Sequence, residues 1–125
     1  MILDTNALSA IADGAPAIAP FIERAPLVAI PVVVLGEYRF GIAQSTQRSR
    51  HEQWLEESLA FYRILDVTDS TSTHYAALRV ELKRVGKPIP SNDLWIAALC
   101  RQHGLAILSR DGHFDLVPGI QRIGW

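Results

Sequence analysis

The sequence predicts an α/β fold in which a central, mostly parallel β-sheet of about five strands is flanked by helices. Short apolar stretches of strand length alternate along the chain with longer segments whose apolar residues recur at helical spacing. Continuous apolar strands in such an alternation are typical of a parallel sheet that is covered on both faces. The chain has 125 residues and no linker-like segment, so we expect one domain, residues 1–125.

The predicted strands are short and are bounded by residues that favour turns. The second one ends at Pro31, which breaks a strand. The β-branched run Val32, Val33 and Val34 is compatible with a helix or a strand, so this strand could also continue through it. The predicted strands are residues 2–3, 27–30, 62–67, 106–108 and 119–123, the last of which reads as an edge strand.

Helices are predicted between the strands from apolar spacing, caps and stops. Thr5 or Asn6 is expected to cap the first helix, which ends near Gly14 in a left-handed turn. Pro16 fits the first turn of the second helix, which Pro26 stops. The remaining helices are predicted at residues 32–44 and 50–60, from an Asp69 or Ser70 cap through residue 85, and from a Ser91 or Asn92 cap to Gly104.

Composition limits the class of protein. Hydrophobic residues make up 49% of the chain and charged residues 20%, so global disorder is not expected. The single cysteine, Cys100, rules out an intramolecular disulfide and argues against a cysteine-based zinc site. No apolar run approaches the roughly 20 residues of a membrane span. Asp4 follows the first apolar residues without a basic segment, so a signal peptide is not expected, and we expect a cytoplasmic protein.

The net charge of −1 gives no global basic field of the kind that marks many nucleic-acid-binding proteins. Binding of a polyanion would therefore depend on local clusters of basic residues. There are two such clusters; the larger one, on the predicted helix that ends near residue 85, is most simply a solvated helix face, and guidance of RNA is the alternative. The clusters are Arg48 with Arg50, and Arg79, Lys83, Arg84 and Lys87.

Three acidic residues lie at positions that a parallel sheet brings to one edge. Asp4 ends a strand, Asp111 follows a strand, and Asp93 opens a helix behind a tight loop. In a parallel sheet with right-handed crossovers, strand ends and helix starts lie on the same edge, where ligands bind. Glu37 lies early in its helix and can lean towards that edge. We therefore expect the four carboxylates to converge.

A cluster of carboxylates is unfavourable unless something stabilises it, because two carboxylates about 5 Å apart repel each other by about 3 kcal/mol at an effective dielectric constant near 20. A bound cation relieves this repulsion, and an all-oxygen set of ligands suits Mg²⁺ or Mn²⁺ rather than zinc. Such a metal activates water for attack on a phosphodiester and offsets charge on the leaving oxygen. Thr5 and Asn6 are expected to hydrogen-bond the carboxylates or bound water.

Taken singly, most of these acids have simpler explanations. Asp93 is a favourable acid for the first turn of a helix. Asp111 precedes a glycine, as turn residues often do, and Glu37 alone is better explained as a solvated helix residue. Asp4 is the strongest single case, because an acid that ends a buried strand is costly without a partner.

Five stretches of the chain match a known pattern in order and at the expected spacing. They are residues 2–6 (ILDTN), 30–38 (IPVVVLGEY) with Gly41, 92–98 (NDLWIAA), 108–114 (LSRDGHF) and 117–125 (VPGIQRIGW). With these stretches the chain resembles the PIN-domain ribonucleases, and among them the VapC-type toxins of bacterial toxin–antitoxin modules. The resemblance covers nearly the whole chain.

The resemblance implies a PIN-like sandwich of helices around a parallel sheet, and Mg²⁺- or Mn²⁺-dependent cleavage of RNA by a toxin. It also implies a homodimer and a small antitoxin that blocks the site. The residues that it assigns are the metal ligands Asp4, Asp93 and Asp111, the fourth catalytic acid Glu37, and the supporting residues Thr5, Asn6 and Ser109.

Some residues near these motifs need separate interpretations. Ser109 stands where threonine is common and keeps the hydroxyl, whereas Pro31 stands where a helix-capping serine is often found. Arg110, beside the last acid, is the best candidate for a contact to an RNA phosphate. For His113 the alternative is a base beside Asp111, and for Asp115 it is a fifth metal ligand; a structural role in the loop is the simpler interpretation of both.

Two other functions remain open from the sequence. A phosphatase would use Asp4 as a nucleophile, but it usually needs a second aspartate two residues later, where this chain has Asn6, and no lysine lies in the matching loops. A catalytically silent module that binds RNA or protein on the same fold is the alternative, and the intact set of acids argues against it.

Overall fold

The computed structural model describes residues 1–125 and contains one five-stranded sheet in which every neighbouring pair of strands is parallel. The strands are β1 (Ile2–Leu3), β2 (Ala29–Pro31), β3 (Arg63–Leu65), β4 (Ile107–Leu108) and β5 (Arg122–Ile123). Their order across the sheet is β3-β2-β1-β4-β5. The predicted α/β fold with about five strands is therefore confirmed, and the sheet is parallel throughout.

Six α-helices lie between the strands. They are α1 (Thr5–Ala12), α2 (Ala19–Arg24), α3 (Val32–Ala43), α4 (Arg48–Ser58), α5 (Asp69–Arg84) and α6 (Ser91–His103). Short 3₁₀ helices occur at Leu59–Phe61 and Gly112–Leu116. The β-branched run Val32, Val33 and Val34 therefore opens a helix and does not extend the strand. No helix combines the length and the apolar character that a membrane span requires.

The N-cap of α1 is Asp4, and not the predicted Thr5 or Asn6. Asp4 has extended backbone angles (φ −79°, ψ 167°), and its carboxylate accepts a hydrogen bond from the Thr5 amide at 2.8 Å. A negative charge at this position also interacts favourably with the helix dipole. The central strand thus passes directly into a helix, which leaves the side chains of Thr5 and Asn6 available for other contacts.

Other helix starts also differ from the prediction. Thr68 precedes α5 and Pro90 precedes α6, so the predicted capping residues lie inside the first turns of these helices. Pro20, and not Pro16, is the first-turn proline of α2, because the residues around Pro16 form turns.

The outer strands are shorter than predicted. Only three residues of the predicted strand 62–67 and two of the predicted strand 119–123 pair with a neighbour. Gly119 has a φ of 80°, so the chain turns there instead of extending. Pro31 lies within β2 and opposite Leu65, because its backbone angles (φ −63°, ψ 144°) are extended and compatible with the proline ring.

The interior is one cluster of 26 buried residues. It includes six residues of α6, which therefore packs as an internal helix: Leu94, Ile96, Ala97, Ala98, Leu99 and Cys100. Burial raises the pKa of the Cys100 thiol to about 12, and the side chain is 1% exposed. The thiol is thus a small core group.

The strand order creates a switch point between β1 and β4. The chain moves outward from β1 through β2 to β3 and then returns to the other side of β1. Ligands of open α/β sheets bind outside the carboxyl ends of the strands at such a point. The residues that directly follow these two strands are Asp4 and Ser109.

Candidate metal centre

Asp4 is a buried carboxylate at the carboxyl end of the central strand. It is 5% exposed, and its amide donates to the Leu108 carbonyl across the sheet at 3.1 Å. Its Oδ2 accepts hydrogen bonds from Ser109 Oγ at 2.6 Å and from Asn6 Nδ2 at 2.9 Å. Burial raises the pKa of Asp4, and the carboxylates of Glu37 and Asp111 raise it further, while the Ser109 hydrogen bond opposes the rise. The anionic form therefore depends on these donors.

Ser109 connects the two central strands at the site. Its side chain is fully buried; the hydroxyl donates to Asp4 and accepts a hydrogen bond from the Asp111 amide at 2.9 Å. Asn6 donates to the same hydroxyl at 3.3 Å and accepts a hydrogen bond from the Arg110 amide at 3.2 Å. The side chains of Asn6 and Ser109 thus fix the loop after β4 relative to the start of α1.

A second group at the site consists of Asp93, Asp111 and His113. His113 Nδ1 lies 3.2 Å from Asp93 Oδ2 and 3.1 Å from Asp111 Oδ1. One ligand atom from each of the three residues lies within 4.8 Å of the other two. The Asp93 side chain is 15% exposed, whereas that of His113 is 48% exposed. The group is thus open to solvent on the histidine side.

The chain folds locally so that this group forms. Asp93 lies in the first turn of α6. Asp111 is the N-cap of the 3₁₀ helix Gly112–Leu116, and its Oδ1 accepts a hydrogen bond from the His113 amide at 2.9 Å. This tight turn brings the imidazole back over the carboxylate. Burial, followed by the charge of Asp111, raises the pKa of Asp93 to about 6.

Glu37 joins the site through Thr5. The Thr5 hydroxyl donates to Glu37 Oε2 at 2.7 Å, while the Thr5 amide donates to Asp4. Glu37 is partly buried on α3. The structure therefore brings all four predicted acids to one edge of the sheet, Asp93 and Asp111 in direct contact with His113, and Asp4 and Glu37 through shared hydrogen-bond donors.

The residues at this edge fit a divalent cation. Adjacent ligands of an octahedral ion with bonds of about 2.1 Å lie about 3 Å apart, which is close to the two His113 distances. Carboxylate oxygens suit Mg²⁺ and Mn²⁺, and an imidazole nitrogen shifts preference towards the transition metal. Asp4 lies outside the three residues whose ligand atoms converge, but it is close enough for its charge to raise the pKa of Asp93.

Two neighbouring residues make other contacts. The Arg110 guanidinium lies 4.5 Å from the centre of the Trp125 ring, a cation–π contact, so a contact to RNA phosphate stays a prediction. Asp115 forms a two-point ion pair with Arg122 at 2.8 and 2.9 Å and takes no part in the acid group.

The sequence favours a structural role in the loop for His113, with a general base beside Asp111 as the alternative; in the structure His113 contacts both Asp93 and Asp111. The signal was present in its position two residues after Asp111. At that separation an aspartate accepts a hydrogen bond from a backbone amide in a turn, as Asp111 does from His113. The Asp-Gly pair indicates a turn, but not that the turn brings the imidazole to both acids.

Comparison with known proteins places the chain in a family. The PIN domain family matches residues 1–120. Ribonuclease VapC5 of Mycobacterium tuberculosis is 34% identical over 94 residues, which cover 74% of this chain and 70% of the relative. The structure of VapBC2 from Rickettsia felis superposes with a TM-score of 0.90 and 23% identity, covering 99% of this chain and 97% of that one, which supports the fold.

A further solved structure is similar to this chain. It is VapBC-5 from Mycobacterium tuberculosis, described as a member of the VapBC family of toxin–antitoxin systems, with a TM-score of 0.72 and 26% identity over 99% of this chain and 97% of that one. Sequence, fold and the arrangement of acids therefore agree. The chain belongs to the PIN-domain family and, within it, to the VapC-type ribonucleases.

Proposed function

We propose that this protein is a metal-dependent endoribonuclease that acts as the toxin of a toxin–antitoxin pair. The observation that supports the proposal is the contact of Asp93 and Asp111 with His113, near Asp4 at the switch point of the sheet. Asp4 and Asp93 both have a raised pKa. Acids with perturbed pKa values in a cleft are typical of functional sites. The relatives named as ribonucleases support RNA as the substrate.

In this proposal Asp4, Asp93 and Asp111 hold Mg²⁺ or Mn²⁺, and His113 offers a nitrogen as a further ligand. A bound divalent cation supplies Lewis-acid chemistry, since it makes water more acidic and offsets negative charge on phosphate oxygens. Ser109 keeps Asp4 oriented by donating to its Oδ2. The site therefore has its acids positioned before the substrate arrives, which lowers the cost of organising the reaction.

Glu37 acts in the proposal as the fourth catalytic acid. Only its Oε2 is engaged by the protein, through the Thr5 hydroxyl, so Oε1 is available to accept a proton or to orient water beside the scissile phosphate. Thr5 keeps Glu37 and Asp4 in register because it donates to both carboxylates.

A small antitoxin that covers the acid site, and a homodimer of this chain, complete the proposal. A relative of similar fold is described as part of a toxin–antitoxin system, which supports a partner of this kind. Co-expression with the product of a small adjacent reading frame is expected to yield a stable complex without RNA cleavage. Cleavage that is undiminished in the complex would contradict the antitoxin part of the proposal.

The central test uses protein purified free of partners and RNA incubated with Mn²⁺. We expect cleavage by the native protein and a loss of at least about 100-fold in Asp4→Asn and Asp93→Asn, because each removes a charge that holds the cation. Asp66→Asn, which changes an exposed acid outside the site, is the matched control and should cleave normally.

The outcomes separate the rival functions. Folded native protein that binds RNA without cutting it in Mn²⁺ would favour a silent binding module. Release of phosphate from a monoester without RNA cleavage would favour a phosphatase. Either result would contradict the nuclease proposal.

A further inference from the structure

A cavity lined by basic residues lies between the end of α5 and the start of α6, outside the acid group. Its volume is about 370 Å³. We refer to it as the basic cavity; its polar lining residues are Arg79, Lys83 and Ser91, and its apolar ones include Ile89 and Leu94. It thus combines two cations and a hydroxyl with an apolar floor.

The two cations of the basic cavity are not neutralised within the protein. The ion pairs of the structure involve other basic residues, and Glu81, the acid nearest in sequence, is held by Arg101 at 3.0 and 3.2 Å. Arg79 donates only to the neutral Tyr75 hydroxyl, at 3.0 Å. Lys83 and Arg79 are both exposed. Their charge is therefore available to a ligand.

Arg79 is also held in place. Its guanidinium lies 5.9 Å from the centre of the Tyr75 ring, and that ring stacks on Trp95 at 4.0 Å with an interplanar angle of 20°. A guanidinium fixed by a hydrogen bond and an aromatic face loses less conformational entropy when it binds an anion.

The basic cavity lies at the same end of α6 as the acid site. Ser91 precedes Asp93 by two residues, which corresponds to a rise of about 3 Å along the helix axis and a rotation of about 200° around it. Leu94, the residue after Asp93, lines the cavity. The acids repel a polyanion, and the whole chain carries a net charge of −1. A strand of RNA that reaches the acids therefore needs positive charge elsewhere along its path, and the basic cavity supplies it.

We infer that the basic cavity binds a backbone phosphate of the same RNA strand whose scissile phosphate lies over the acids. Arg79 and Lys83 donate to the phosphate oxygens, and the Ser91 hydroxyl adds a neutral donor. Such contacts set the register of the strand and carry no sequence information. The inference rests on the proposed function, because it assumes that RNA is the substrate.

The test measures binding of a fluorescein-labelled single-stranded RNA to the full chain by anisotropy, in EDTA so that no cleavage occurs. We expect Arg79→Ala/Lys83→Ala to bind at least about tenfold more weakly at low salt. We also expect the slope of log affinity against log salt to fall by roughly 0.7 for each lost phosphate contact. The charge-conserving pair Arg79→Lys/Lys83→Arg should retain most of the binding.

The matched control is Arg24→Ala/Arg63→Ala, which removes two exposed cations outside both basic clusters and should leave the salt slope unchanged. If the native chain binds RNA and the cavity variant binds equally well, the inference fails while the proposed function stands. If the native chain neither binds RNA in EDTA nor cleaves it in Mn²⁺, both the inference and the proposed function fail. If the cavity variant changes only the mass in size-exclusion chromatography, the surface is an interface between copies and the inference is wrong.

Discussion

At the scale of single residues, the contacts of His113 set this site apart from a purely acidic one. Its Nδ1 lies between two carboxylates at 3.1 and 3.2 Å, so under the proposed function the same position would hold a hydrogen bond without a cation and a ligand bond with one. A nitrogen ligand favours Mn²⁺ over Mg²⁺ more than a third oxygen would. The choice of metal can therefore depend on one exposed side chain.

We expect His113→Gln to weaken Mn²⁺ binding by about tenfold, the lower end of what loss of a supporting residue costs at metal sites, and to weaken Mg²⁺ binding less. Free Mn²⁺ measured by electron paramagnetic resonance during a titration reports the affinity without any need for cleavage. His103→Gln, at the other end of α6, is the control. An unchanged Mn²⁺ affinity together with no nitrogen coupling in the pulsed spectrum of the native complex would show that His113 is not a ligand.

At the scale of elements, the carboxyl ends of β1 and β4 are joined by side chains as well as by the sheet ladder. Ser109 has no exposure and links Asp4 to the Asp111 amide. A hydroxyl of this kind cannot be replaced by solvent, because no water has access to it. The element that carries Asp111 is thus positioned by the element that carries Asp4.

We expect Ser109→Ala to reduce the free energy of unfolding by about 1–3 kcal/mol, because it leaves a buried carboxylate and an amide with one partner fewer. Mn²⁺ affinity should fall as well, since Asp111 loses its anchor. Urea denaturation and the Mn²⁺ titration measure the two effects. Ser45→Ala removes an exposed hydroxyl whose only hydrogen bond is the one that it accepts from the Gln47 amide, and it should change neither quantity. Equal effects of the two variants would contradict the anchoring role of Ser109.

The elements also show what could be predicted from the sequence. The strand–helix alternation gave the fold because apolar runs and helical spacing are local signals. The positions of Asp4, Asp93 and Asp111 at strand ends and a helix start were enough to expect convergence. Caps were predicted less well, since an extended Asp4 and a Pro90 without a capping side chain reflect how the chain enters the helix, which is set by tertiary packing.

Other features depended on contacts that no local pattern encodes. The short 3₁₀ turn that returns His113 to Asp111 follows from the position of Phe114, which is 1% exposed and belongs to the core. The basic residues of α5 could be grouped from the sequence, but their division into cavity-lining Arg79 and Lys83 and the remaining two required the packing of α5 against α6.

At the scale of the whole molecule, folding has to bury a carboxyl group at the acid site and bring it close to other acids. Asp93 has a pKa of about 6 in the folded protein against an ordinary value of 3.8. A carboxyl group whose pKa is raised on folding favours the folded state fully below its ordinary pKa, and that contribution is lost as pH rises through the raised value. The metal-free protein therefore becomes less stable between about pH 4 and pH 7 through this residue.

We expect Asp93→Asn to have a larger free energy of unfolding than the native protein at pH 7 in EDTA, by about 1–3 kcal/mol. This range follows from about 1.36 kcal/mol for each unit by which the pKa is raised, reduced because the side chain is partly exposed. The difference should shrink towards pH 4. Urea denaturation across this range measures it, with Asp66→Asn as the control. Addition of Mn²⁺ at pH 7 should stabilise the native protein and not Asp93→Asn; a difference that stays constant with pH would contradict this account.

The sealed position of Cys100 gives the protein a built-in reporter. The chain has only one sulfhydryl, which is buried and has a raised pKa. Alkylation therefore requires the interior to open. The rate of labelling by a small electrophile therefore measures how often the native state opens, without any engineered probe. Any ligand that binds the folded form, whether an ion, a nucleic acid or a protein inhibitor, will slow that reaction, and more so the more tightly it binds.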